Sequence, residues 1–178
     1  MTVARTLLSI WLVPAEPERA ALAQLIDELA RRYDAPRFAP HITLFAGSTA
    51  RADWREALAQ AVQGSVALRT RVVEIGHSDQ LFKTVYLQMA SSAALLALQR
   101  NVRAALHDAD EYAFDPHLSL IYKLLPEAAR VELASELDAP STIPCDALSV
   151  VIPSSAGWAD VAGWQVQDSV PLPLPRRP

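Results

Sequence analysis

The chain has 178 residues, 51% of them hydrophobic and 20% charged, which fits one folded domain and argues against a disordered polymer. A formal charge of −4 argues against a broad basic surface for long DNA or RNA, but a small anionic ligand held by a few local donors is compatible with it. Cys145 is the single cysteine, so no intrachain disulfide and no cysteine-based metal cluster can form. No histidine motif adjoins it in sequence, and it reads as a small apolar strand residue. The chain has many arginines and alanines and only two lysines, Lys83 and Lys123, a bias typical of a GC-rich bacterial coding sequence.

In chain order, Leu7–Val13 is an apolar run between Arg5 and Pro14-Ala-Glu-Pro17. It is short for a secretory segment and reads as a first core strand. No run approaches transmembrane length, so a cytoplasmic protein without a membrane partner is expected. Leu22, Leu25, Ile26 and Leu29 share one helical face, and Asp34-Ala35-Pro36 ends that helix. His41–Ala46 predicts a short strand closed by Gly47. Trp54, Leu58, Ala61 and Val62 stripe a second helix that Gly64 terminates. Val66–Ile75 and Gln80–Met89 predict a hairpin across Gly76-His77-Ser78-Asp79. Ser91-Ser92 can cap a third helix whose Leu95, Leu98, Val102 and Leu106 share a face, with His107 at its end. His117–Tyr122 is a strand, Pro126 suits the first turn of a fourth helix, and Asp138-Ala139-Pro140 stops it. Ala147–Ile152 and Trp164–Val170 give two more strands, and the proline-rich tail 171–178 reads as an extended, frayed terminus or an SH3-type ligand. After the first strand the pattern αβαββ therefore occurs twice, over about 15–89 and 91–170, which implies two similar lobes within one domain of residues 1–170.

The repeat extends to residues. Phe38-Ala-Pro-His41-Ile-Thr43-Leu aligns with Phe114-Asp-Pro-His117-Leu-Ser119-Leu. On a strand, His41 and Thr43 share one face and Ile42 and Leu44 the other, and the same holds for His117 and Ser119 against Leu118 and Leu120. Apolar faces packed under helices would leave two imidazoles and two hydroxyls to line something wet. That set suits phosphodiester cleavage: a neutral imidazole takes a proton from water, an imidazolium protonates the leaving sugar oxygen, and the hydroxyls hold the non-bridging oxygens. Asp and Glu are absent from the polar faces of both motif strands, so a carboxylate-held metal is not expected, and proton transfer between two imidazoles calls for no other cofactor. A lone strand histidine is more often a satisfied structural residue, and the paired occurrence argues the other way.

These motifs resemble those of the two-histidine (2H) phosphoesterases, whose signature is a pair of His-x-Thr/Ser sequences, and most of all those of cyclic phosphodiesterases and their relatives resembling 2′,5′-RNA ligases. The resemblance spans nearly the whole chain and implies an α+β, bilobal fold, with two pseudo-symmetric lobes of antiparallel sheet and outer helices around a central cleft. It implies His41 and His117 as the catalytic pair, Thr43 and Ser119 as phosphate-binding hydroxyls, Tyr122 as a further phosphate-side residue, and Trp11 and Phe82 as base-stacking residues. By alternation alone Trp11 fits a cleft or a core, and Tyr122, opposite in parity to His117, reaches a cleft only if its strand ends or twists there. Lys83 and Lys123 read as solvated charges. The implied activity is metal-independent hydrolysis of a nucleoside 2′,3′-cyclic phosphate or an ADP-ribose 1″,2″-cyclic phosphate by a monomer. An RNA-end phosphodiesterase or RNA 2′,5′-ligase and an inactive nucleotide-binding module are the alternatives.

Overall fold

The structure is a computed structural model that describes residues 5–51, 53–106 and 113–175. Seven strands and four helices follow in the expected order: β1 (Thr6–Pro14), α1 (Glu18–Tyr33), β2 (Ile42–Thr49), α2 (Trp54–Ala61), β3 (Leu68–His77), β4 (Val85–Met89), α3 (Ala93–Ala105), β5 (His117–Ile121), α4 (Glu127–Glu136), β6 (Thr142–Ile152) and β7 (Gln165–Pro171). All pairings are antiparallel. The strand order is β1-β2-β5-β4-β3-β6-β7, and β1 also pairs with β6, so six strands close into a ring with β7 outside it.

The spatial arms are not the sequence repeats. The hairpin of the first repeat, β3–β4, pairs with the motif strand of the second, β5, whereas the β6–β7 hairpin pairs with β1, which carries β2 on its other side. Helices are exchanged in the same way: α1 and α4 lie against the β5–β4–β3 arm, α2 and α3 against β2 and β7. Both arms thus contain residues from both repeats.

The two motif strands meet at one pair, Ile42 opposite Leu118. Both side chains are fully buried, as are Leu44 and Leu120 two residues further on. The apolar face of each motif is thereby sealed in the core, beneath helices whose inward stripes are Leu22, Ile26 and Leu29 on α1 and Leu95, Leu98 and Val102 on α3. Ser92 caps α3 as its sequence indicates, its hydroxyl accepting from the Leu95 N–H at 3.2 Å.

Several boundaries differ from the sequence reading. Gly47 does not close β2, which runs on to Thr49 opposite Thr6; the Phe45 ring packs where a Gly47 side chain would begin. The β3–β4 link is longer than a tight turn. Residues Leu81–Lys83 form a 3₁₀ turn, and the Ser78 hydroxyl ties its end by donating to the Lys83 carbonyl at 2.5 Å. β6 begins at Thr142, five residues before Ala147, because its first part pairs with β3. The tail is held at its start: Leu172 is buried and its N–H donates to the Asp146 carbonyl at 2.7 Å, and the Pro173 carbonyl accepts from the Ala67 N–H at 2.8 Å. Apolar burial and two backbone bonds thus oppose fraying there. His107 and residues 176–178 lie outside the described residues. No helix of the described residues is long and apolar enough to cross a membrane.

Candidate active site

At the Ile42–Leu118 contact the strands are antiparallel, so His41 comes toward Ser119 and Thr43 toward His117. All four line one cleft with about 230 Å³ of water-accessible space. The cleft therefore arises at the single place where the two arms touch through their motif strands.

The histidines are anchored alike. The Nδ1–H of His41 faces the Ala39 carbonyl at 2.7 Å, and that of His117 faces the Asp115 carbonyl at 2.8 Å. In each case the acceptor lies two residues back, across a proline that fixes the backbone (Pro40, Pro116). With Nδ1 donating, Nε2 of the neutral ring is left as the acceptor.

Their surroundings differ. His41 is 5% exposed, and burial, opposed by its Ala39 bond and aided by the charge of His117, pulls it down to about 4 from 6.5. It is neutral at pH 7. His117 is half-buried, and burial lowers it too, while the Asp115 carbonyl and carboxylate work against that and the Lys83 ammonium reinforces it. Lys83 is not a solvated charge: it pairs with Asp115 and lies over the Tyr86 ring at 4.4 Å. Tyr86 sets its ring edge-on to His117, 5.6 Å between centroids, and crosses Gly76 so closely that a Cβ there would meet the phenol ring at 2.5 Å. Lys123 is turned away and donates to the Asp34 carbonyl at 2.8 Å.

The hydroxyls are not equivalent. The Thr43 hydroxyl makes no hydrogen bond among the described residues and is available to a ligand. Ser119 donates to the Phe82 carbonyl at 2.6 Å, so its proton must swing to serve an anion, which a hydroxyl rotor allows. β5 ends at Ile121, and this frees Tyr122 from strand parity: its ring stacks on Phe38 (3.7 Å, 17°) and its hydroxyl reaches toward His41 Nε2 at 3.4 Å. Burial raises the phenol far above its ordinary value, so it stays protonated.

Aromatic rings form the remaining wall. Trp11 does reach the cleft, on the same face of β1 as Ser9, and one face of its indole lies flat on His41 (3.6 Å, 7°). Phe82 is 37% exposed at the rim, edge-on to Tyr122 at 5.2 Å. Sequence reasoning missed Trp158 and Trp164, which line the same cleft from the β6–β7 connection. Trp164 lies against Trp11, Phe82, Tyr122 and Trp158, and its indole N–H donates to the Trp158 carbonyl at 3.1 Å. The Ser154 hydroxyl donates to Asp160 at 2.5 Å and folds this connection tightly, with Gly163 packed where no side chain fits. Two tryptophans beside glycines in a segment with little regular structure were the available signal. Cys145 and His77 are elsewhere: Cys145 is fully buried in β6, its thiol pushed up to about 12 by desolvation, and His77 is exposed at the end of β3.

Paired strand histidines with neighbouring hydroxyls, carried on a ring of antiparallel strands with outer helices, define a two-histidine phosphoesterase fold. The 2′-5′ RNA ligase superfamily matches residues 13–156, and the chain belongs to that family. A cyclic phosphodiesterase of Arabidopsis thaliana is 24% identical over 126 residues, 70% of each chain. Escherichia coli LigT has the same fold: its complex with 3′-AMP aligns at a TM-score of 0.61 and 15% identity over 96% of this chain and 99% of that one. The LigT complex with phosphate aligns at 0.57 and 17%, over 95% and 98%.

Proposed function

We propose that the chain is a phosphodiesterase that opens a cyclic phosphodiester on a ribose without a metal ion: a nucleoside 2′,3′-cyclic phosphate or an ADP-ribose 1″,2″-cyclic phosphate. The observation that carries this reading is the matched anchoring of His41 and His117, each with Nδ1 on a backbone carbonyl, in one cleft with Thr43 and Ser119. The cyclic phosphodiesterase relative and the nucleotide-bound LigT structures are consistent with it.

In the reaction water attacks phosphorus, one ring P–O bond breaks, and a phosphomonoester is left beside a free sugar hydroxyl. His41, held neutral, takes the proton of the attacking water. His117, also lowered by burial but less enclosed than His41 and with the Asp115 carbonyl and carboxylate opposing the shift, is the member of the pair that supplies the proton to the departing sugar oxygen. Thr43 and Ser119 donate to the non-bridging oxygens as their charge grows. Phe82, Trp158 and Trp164 face the apolar part of the substrate.

The test is a screen of these cyclic phosphates in excess EDTA with wild type, His41→Ala and His117→Ala. Each alanine variant should lose about 10²- to 10⁴-fold in rate. Abolition of activity by EDTA, or full activity in both variants, would sink the proposal. Tight, salt-dependent capture of tRNA-like RNA would favour an RNA-end substrate, although among the described residues no Arg or Lys lines the cleft.

A further inference from the structure

We propose that Trp11 is a positioning residue that acts through His41: its indole is the plate holding the imidazole in one plane, rather than a platform for a base. This rests on the phosphodiesterase reading for its kinetic arm only.

The geometry supports a plate. The two rings are parallel to within 7° at 3.6 Å, which leaves no room for a base between them on that face of the indole. Trp11 is itself fixed: it is 5% exposed, β1 is held by β2 on one side and β6 on the other, and Trp164 stands edge-on to it at 5.7 Å. Phe38 stands edge-on to His41 at 6.2 Å and Trp164 at 6.4 Å. The Nδ1 bond to Ala39 fixes the ring about its own axis, and the indole forbids tilting. Nε2 therefore keeps its aim whether or not it carries a proton.

The plate also bears on protonation. The titratable groups facing His41 are His117 on β5 and the Tyr122 phenol, with Lys83 and Asp115 behind His117. The indole has two opposed effects. It excludes water, which disfavours imidazolium, and its π face attracts imidazolium. Because burial is the largest influence on His41, exclusion wins, and removing the indole admits water and raises the His41 pKa toward 6.5.

The experiment compares wild type, Trp11→Leu and Trp11→Phe. One readout is the NMR titration of the His41 ring; the other is kcat and KM on a nucleoside 2′,3′-cyclic phosphate and on a methyl riboside 2′,3′-cyclic phosphate that has no base. A positioning role predicts an upward His41 titration in Trp11→Leu, a smaller one in Trp11→Phe, and a kcat loss on the order of 10- to 100-fold on both substrates. A base platform predicts a higher KM for the nucleoside alone and an unmoved His41, and that result overturns the proposal. If Trp11→Leu does not fold, Trp11→Phe decides by the same criteria. Hydrolysis of neither substrate by wild type counts against the phosphodiesterase, whereas an unmoved His41 titration counts against the plate.

Discussion

Replacement of His41 by Asn should make the protein less sensitive to acid. In the folded chain His41 titrates at about 4, against 6.5 for an unperturbed imidazole. As pH falls through 6.5 the unfolded chain takes up a proton that the native chain refuses, so stability is complete above 6.5 and drains away until pH passes about 4. At about 1.4 kcal/mol per pH unit the full loss is about 3 kcal/mol, most of it incurred by pH 4.5. In urea unfolding at pH 7.5, 6, 5 and 4.5, wild type should lose about 2 to 3 kcal/mol more than His41→Asn over that range. Other titrating groups act in both proteins and largely cancel in the difference. Parallel loss of stability in the two proteins would refute the claim that His41 is buried in its neutral form.

Three further outcomes follow from the same geometry. Lys83→Met removes a cation that lowers His117 and leaves Asp115 unopposed, so the His117 resonance should titrate at higher pH; a downward or absent shift would exclude the Lys83–Asp115 pair as an influence. Thr43→Val takes away an unengaged hydroxyl, and kcat/KM should fall about 10- to 100-fold, the equivalent of about 1.5 to 3 kcal/mol for a bond to a charged group, with little change in thermal midpoint. Leu118→Ala, at the one β2–β5 pair, should cost about 2 to 5 kcal/mol in denaturant unfolding, and a loss under 1 kcal/mol would mean the arms do not depend on that contact.

The order of elements and the two-faced motif strands could be read from the chain because both depend on local periodicity. Alternation at residues 41–44 and 117–120 assigns each side chain to a face before any partner is known. Tyr122 shows where alternation ends: one residue beyond β5, its direction is set by stacking on Phe38 rather than by the pleat. Trp158 and Trp164 lie in the β6–β7 connection outside the regular strands, and the place of Trp164 beside His41, with Trp158 against it, depends on how Ser154 and Asp160 fold that connection.

By itself, then, the sequence determined which residue types recur, at what spacing and on which side of their strands, since a strand's pleat needs no neighbour to define it. The tertiary structure alone decided that each motif strand would share an arm with the other repeat's hairpin, that the motif strands would meet at Ile42 and Leu118, and that His41 would be the more deeply buried of the pair. Those outcomes turn on long-range pairing and on the exclusion of water by surrounding rings, and neither is encoded in any local run of residues.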